Sequence, residues 1–419
     1  MPQTFPPTAR ASTSVLFGLG AMLGAGLFTG LAPAASLAGK WFLPAVALAA
    51  LAATCSAFST SDQSAAYPGA GGYANTRAQL GPWPGRLTGA AYLAGHAAAA
   101  AALAGTFGNY LVPGQPLLGA LALLVAVTAL RMRRLTPSPL VSLVLAYAVL
   151  AVLVLVVAAC FAVPPAPVLT VTPIAGVGGA DDPNGLVGAA GLMFLAFVGF
   201  ERVTAPQEGE QRATRRSIPL LMGIAFVGCL VVGFAAHHQL GSARLAWSRA
   251  PLHDAMIAAD AAWLAPVVDL GAGIAAVGAL FWVLGGMRRT VLAMAETGDL
   301  PMRTVRAGGG VEVVGGVLAL PAVLLLSPAQ AIGMASCCLL FYYAFTNASA
   351  RLLLQEDRTW PMRTACLGLG LSVLLAMSMP IQALLLTGGA LCVGTALTGW
   401  SARLGRLRVE RAEGTSNES

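Results

Sequence analysis

Two short segments of an otherwise apolar chain carry residues whose types and spacing suit chemistry. The first is Gly18-Leu19-Gly20-Ala21-Met22-Leu23-Gly24-Ala25-Gly26-Leu27-Phe28, with glycines placed so that a helix can unwind partway along it. The second is Phe194-Leu195-Ala196-Phe197-Val198-Gly199-Phe200-Glu201, which sets an aromatic-flanked glycine and a carboxylate late in an apolar run. An interrupted helix frees backbone groups: N–H groups at a half-helix N-terminus hold a carboxylate, and carbonyls hold an ammonium group. Glu201, and His96 midway along an alanine-rich run, are the ionisable side chains placed to carry a proton. Plainer readings stand beside these. Gly24 and Gly26 also suit a close-packing face, Glu201 suits a helix end bonded to backbone, and His96 suits an inter-helix hydrogen bond. His237 and His238, at the end of another apolar run, read as solvated.

The elements that must position these residues follow from composition. Of 419 residues, 57% are hydrophobic and 10% charged, and the mean hydropathy is +0.76. Twenty-four basic and 17 acidic side chains cannot cover a soluble fold of this length, so most of the exterior faces lipid. Apolar runs long enough to span a bilayer fall at about 15–36, 41–60, 87–111, 116–130, 139–161, 186–204, 218–238, 265–287, 313–327, 330–350, 364–379 and 381–400. They are continuous, which predicts helices and excludes a β-barrel. All basic residues except Lys40, Arg202, Arg244 and Arg249 fall in every second loop or in the terminal segments, which places both termini in the cytoplasm and makes the span number even. The expected organisation is a cytoplasmic segment 1–14, a single transmembrane domain 15–400 and a short disordered cytoplasmic tail 401–419. The first run is too long and glycine-rich for a cleaved secretory signal. The pI of 9.3 comes without a basic stripe interleaved with aromatics, so no nucleic-acid partner is expected. The seven cysteines form no metal spacing and read as small hydrophobes.

Spans one and six are the first helices of two five-helix units, and interruptions at matching places in two halves point to a transporter binding site. Four motifs then carry a resemblance. Gly24-Ala25-Gly26-Leu27-Phe28 resembles the G-[SA]-G-[IL]-F segment of the amino acid permeases of the amino acid–polyamine–organocation superfamily. Tyr67-Pro68-Gly69-Ala70-Gly71-Gly72-Tyr73, with Gly81, Pro82 and Gly85, is similar to that family's loop between spans two and three. Phe197 to Glu201, then Glu210, Arg215 and Pro219, resembles its sixth span and exit. Arg289 to Pro301 resembles its loop after span eight.

The resemblance implies an all-α, leucine-transporter-like inverted repeat, about 15–161 against about 186–350, with two extra helices at about 364–400. It implies alternating access around a central site in a bacterial cytoplasmic membrane. The α-carboxylate would meet the backbone amides of Gly24, Ala25 and Gly26, with Met22 and Leu23 also in the substrate-binding set. The ammonium would meet carbonyls of Phe197, Val198 and Gly199, with Phe200 lining or gating the side-chain pocket. The size and short tail look closest to a bacterial subgroup that exports neutral, hydrophobic amino acids. Departures bear on coupling. Residues 139–161 carry no lysine or other charged side chain, and 265–287 contain neither serine nor threonine, so neither a proton-sensing lysine nor a sodium site is supported. Glu201, His96 or Asp269 remain as proton carriers, and an ion-free exchanger stays open. Gly209 and Thr214 also depart from the loop pattern after span six.

The expected function is transport of neutral, apolar amino acids through the lipid bilayer, import or export, without a metal or other cofactor, by a monomer or homodimer. An amine or polyamine exchanger would need more buried carboxylates than Glu201. An amino acid sensor on the same scaffold would bind without flux. A membrane enzyme is not expected, since no nucleophile–base pair or metal-ligand cluster stands out, and Ser56, Ser59 and Ser61 read as packing residues.

Overall fold

The computed structural model describes residues 16, 18–67, 71–135, 138–165, 184–204, 217–301 and 310–416, and among them every regular element is a helix. Among the described residues eight stretches are long and apolar enough to cross a membrane. One of them, Met22–Ala66, holds two helices that meet at the 3-10 turn Gly39–Trp41. With three shorter apolar helices they account for all twelve expected spans. Span one is a π-helical turn, Gly20–Ala25, followed by the α-helix Gly26–Ala38. Spans two to five are Phe42–Ala66, Pro82–Leu111, Pro116–Met132 and Pro139–Ala162. Span six joins Asn184–Phe194, a 3-10 segment Leu195–Phe200 and a last turn Glu201–Thr204. Spans seven to twelve are Ser217–Trp247, Ala265–Glu296, Gly310–Leu325, Pro328–Ala350, Met362–Met377 and Ile381–Ser416. Two loop helices, Gly71–Leu80 and Pro251–Ala258, precede spans three and eight.

Local chemistry sets these starts. Proline opens spans three, four, five, eight and ten, where its missing N–H costs no helical bond. The Ser138 hydroxyl caps span five by accepting from the Val141 N–H at 3.3 Å, and Ser327 forms a reciprocal capping box with Gln330 at span ten.

Span three is the hub. It packs against spans four, eight, nine, ten and twelve, and its buried run Ala97 to Ala102 lets neighbouring backbones approach closely. Spans three, six and ten are mostly buried by protein, whereas spans five and twelve are mostly exposed. Leu140 and Val154 on span five, Leu325 on span nine and Ile381 and Leu385 on span twelve point outward. Large apolar side chains arrayed on an outer ring of helices make a surface for lipid.

Three expectations change. The tail expected to be disordered from residue 401 is helical to Ser416, because its arginine, leucine and glutamate residues favour continuation of span twelve. His238 is half-buried rather than solvated, its ring 5.4 Å from that of Phe161 and 6.2 Å from that of Phe234. The glycine-rich segment of span one does not unravel. Its flanking residues stay in the right-handed helical region, Leu19 at φ −61° and Gly26 at φ −70°, and the interruption is a π turn. An extra residue per turn loosens the winding while keeping backbone groups bonded, which the bilayer interior requires. Residues 1–14, Pro68 to Ala70, Gly209, Glu210, Thr214, Arg215, Arg303 and Arg306 lie outside the described residues, as do 417–419.

Candidate functional site

The two interruptions meet. The π turn of span one packs on the 3-10 segment of span six, and a Cβ on Gly26 would collide with the backbone of Ala196. A Cβ on Gly24 would stand 3.0 Å from Ala275 of span eight and 3.1 Å from Val149 of span five. The glycines therefore serve close packing as well as a change of winding. The Gly26 N–H is bonded to the carbonyls of Leu23 and Met22, and the Glu201 N–H to those of Gly199 and Val198. Each carbonyl keeps a second lone pair.

Beside this contact lies a cavity of about 50 Å³, room for a few water molecules. Its wall comes from Gly26 and Thr29 of span one, His96, Ala99, Ala102 and Leu103 of span three, and Leu195, Val198 and Gly199 of span six. Ala279, Trp282 and Val283 of span eight and Leu339 of span ten complete it. No acidic side chain is among them. Of the residues expected to hold substrate, Gly26, Val198 and Gly199 border the cavity, as does His96.

Met22, Leu23, Gly24, Phe197 and Phe200 are buried but not on the wall, and Ala25 belongs to the π turn. The pitch of span six explains the split. In a 3-10 helix residues i and i+3 eclipse, so Leu195 and Val198 share the cavity face while Phe197 and Phe200 share another, about 120° round the helix. The Phe200 ring accordingly lies 5.3 Å from Tyr343 instead of lining the pocket.

Next to the cavity is a buried polar cluster. The His96 ring stacks on Tyr92 with centroids 3.9 Å apart, and its Nδ1 lies 3.0 Å from the Tyr92 carbonyl. The Tyr92 hydroxyl donates to Glu201 Oε2 at 3.3 Å, and the Tyr343 hydroxyl donates to Glu201 Oε1 at 2.5 Å. Glu201 is thus a buried acid joining spans three, six and ten, not a helix-end carboxylate bonded only to backbone. Tyr92, Tyr343, Trp282 and Thr29 were absent from the expected set. The signals were a tyrosine or tryptophan within an apolar span, which sequence alone reads as ordinary packing.

A second cluster ties the loop helix Gly71–Leu80 and the start of span three to the exit of span eight. Asp299 is fully buried and accepts from Arg77, from Arg86 Nε at 2.9 Å and from the Tyr73 hydroxyl at 2.6 Å. Burial and the neighbouring Asp299 push the Tyr73 phenol up to about 12, so it stays a donor. Asp269 pairs with His253 at 2.9 Å, and Ser56 accepts from Asn347 Nδ2 at 3.1 Å. Among the described residues no group of His, Cys, Asp and Glu could hold a metal, and all cysteines are free, Cys366 and Cys392 exposed and the rest buried.

No protein-family model matches the chain. Uncharacterized transporters of Mycobacterium tuberculosis and Mycobacterium bovis are each 37% identical to it, over 96% of this chain and 92% of theirs. A vacuolar cationic amino acid transporter of Arabidopsis thaliana is 28% identical over 28% of this chain and 19% of its own length. Among solved structures, a manganese transporter of Eremococcus coleocola superposes with a TM-score of 0.53 over 95% of this chain and 96% of that one, at 11% identity, which shows a shared fold. The apolar helices among the described residues and the near full-length likeness lead to one conclusion: this chain is an integral membrane protein belonging to the transporter family that includes the uncharacterized mycobacterial transporters.

Proposed function

We propose that the protein is a secondary active transporter of neutral amino acids, working by alternating access in the bacterial cytoplasmic membrane. The observation that carries this reading is the cavity where the π turn of span one meets the 3-10 segment of span six, with no acidic side chain on its wall. The carbonyls of Val198 and Gly199 offer second lone pairs to an ammonium group. The amides of Met22 to Gly26 offer donors to a carboxylate once the π turn opens, since the Gly26 N–H is bonded within the helix in this conformation. The remaining wall is alanine, leucine, valine and tryptophan with Thr29 and His96, suited to a small uncharged side chain.

A cationic side chain would need a carboxylate on that wall. The cationic specificity named for the Arabidopsis proteins is therefore not carried over, and an amine or polyamine exchanger is disfavoured for the same reason. Glu201 is held by two tyrosine hydroxyls instead. It is the leading proton-coupling candidate: a buried acid one residue beyond the 3-10 segment reports directly on the position of span six.

In this reading both termini are cytoplasmic, which sets the Glu201 and Asp299 clusters toward the cytoplasmic ends of spans six and eight, where they would hold that side closed. The test is uptake and counterflow of radiolabelled amino acids in proteoliposomes, with proton and sodium gradients imposed separately. Saturable counterflow of neutral amino acids is the expected result. Binding without flux would make the protein a sensor, and the absence of both would overturn the reading.

A further inference from the structure

Among the residues of the cavity wall only Thr29, His96 and Trp282 carry a polar side-chain atom. The Thr29 hydroxyl accepts from Thr106 at 3.3 Å, and an indole N–H can only donate. His96 differs from both. It is 1% exposed, and its Nδ1 faces the Tyr92 carbonyl, a group that accepts and never donates. That contact puts the ring hydrogen on Nδ1 and leaves Nε2 of the neutral ring as a bare lone pair. Nε2 is buried and has no hydrogen-bond partner among the described residues. A buried acceptor without a partner is costly, so a donor entering the cavity completes it.

We propose that His96 Nε2 accepts a hydrogen bond from the side-chain hydroxyl of the transported amino acid, which makes serine and threonine the preferred substrates. The inference rests on the amino acid reading above and narrows it. If the substrate's charged ends are taken by spans one and six, the side chain projects toward span three, where His96 and Ala99 line the cavity and the His96 ring is stacked on Tyr92. The small alanines leave room there, while Leu103, Val283 and Leu339 limit length. A water hydrogen-bonded to Nε2 between transport cycles is replaced bond for bond by a hydroxyl. A methyl group displaces it without replacing the bond and loses affinity.

Two nearly isosteric pairs test this in proteoliposomes containing the full chain: threonine against valine, and serine against 2-aminobutyrate. The native protein is expected to take up the hydroxyl member about tenfold faster at subsaturating concentration, the factor one buried hydrogen bond supplies. His96→Phe keeps an aromatic ring without an acceptor and should bring both ratios close to one by slowing threonine and serine, not valine. His96→Gln, which places a carbonyl oxygen near the Nε2 position, should restore part of the preference and serves as the reading if the phenylalanine variant fails to insert. Equal or reversed ratios in the native protein overturn the proposal, as does an undiminished preference in His96→Phe. Valine flux without discrimination would leave amino acid transport standing and remove His96 from recognition, whereas no amino acid flux or binding would sink both. A proton-carrying histidine would instead change the response to an imposed pH gradient and leave the ratios intact.

Discussion

The Tyr343 hydroxyl donates to Glu201 Oε1 at 2.5 Å, fixing span ten to the first residue beyond the 3-10 segment of span six. Tyr92 reaches the other carboxylate oxygen from span three, so one buried acid holds three helices. Tyr343→Phe removes one of two hydroxyl donors from a carboxylate with little access to water, a loss of about 1–3 kcal/mol. The expected outcome is a lower melting temperature in detergent and faster labelling of a single cysteine introduced at a cavity position by a membrane-impermeant thiol reagent from the cytoplasmic side. Unchanged labelling would mean that the bond does not hold that side closed.

Gly26 and Gly30 lie one helical turn apart and make a matched pair. A Cβ at Gly26 collides with the Ala196 backbone, whereas at Gly30 its nearest neighbour is Met193 Sδ at 3.5 Å, an ordinary contact. Gly26→Ala is therefore expected to abolish counterflow while the protein still inserts, because spans one and six can no longer approach. Gly30→Ala should retain most of the native rate. Equal rates in the two variants, measured at matched protein content, would show that the close approach is not needed for transport.

The spans were legible in the sequence because lipid exposure demands long apolar runs, and the meeting of spans one and six was legible from their glycines. The form of the interruptions was not. Glycine spacing signals freedom of the backbone but does not choose between an unwound segment, a π turn and a 3-10 turn. That choice decides which side chains face the cavity: the 3-10 pitch turns Phe197 and Phe200 away and Leu195 and Val198 inward. Tyr92 and Tyr343 were illegible for another reason. Their partner Glu201 is more than a hundred residues distant from each in sequence, and no local pattern brings such groups together.

Asp299 concentrates charge at the exit of span eight, where Arg77 and Arg86 converge on it from the loop helix and the start of span three. Replacing Asp299 by alanine leaves two guanidinium groups facing a partnerless site and is expected to cost about 3 kcal/mol, seen as a lower melting temperature. Arg77→Ala and Arg86→Ala should each cost less, and their double variant should differ from the sum of the two because both act on one carboxylate. Tyr73 adds a pH signature. Its phenol is raised in the folded state, so its contribution is fully present below the ordinary value of about 10 and is lost as pH rises through about 12. Melting temperatures of native protein and Tyr73→Phe should therefore run parallel below about pH 10 and converge above it.

Trp282 supplies the largest side chain of the cavity wall, and its ring lies 6.0 Å from that of His96. Its indole closes one side of a small, largely apolar cavity, so Trp282→Ala should enlarge the cavity and weaken binding before it affects the movement of the spans. The expected signature is a KM raised about tenfold for small neutral amino acids, with the maximal rate of counterflow less affected. A larger substrate such as leucine or methionine should gain relative to alanine in the same variant, since the space vacated by the ring becomes available to its side chain. A fall in maximal rate with an unchanged KM would assign Trp282 to the movement of span eight instead of to the substrate's surroundings.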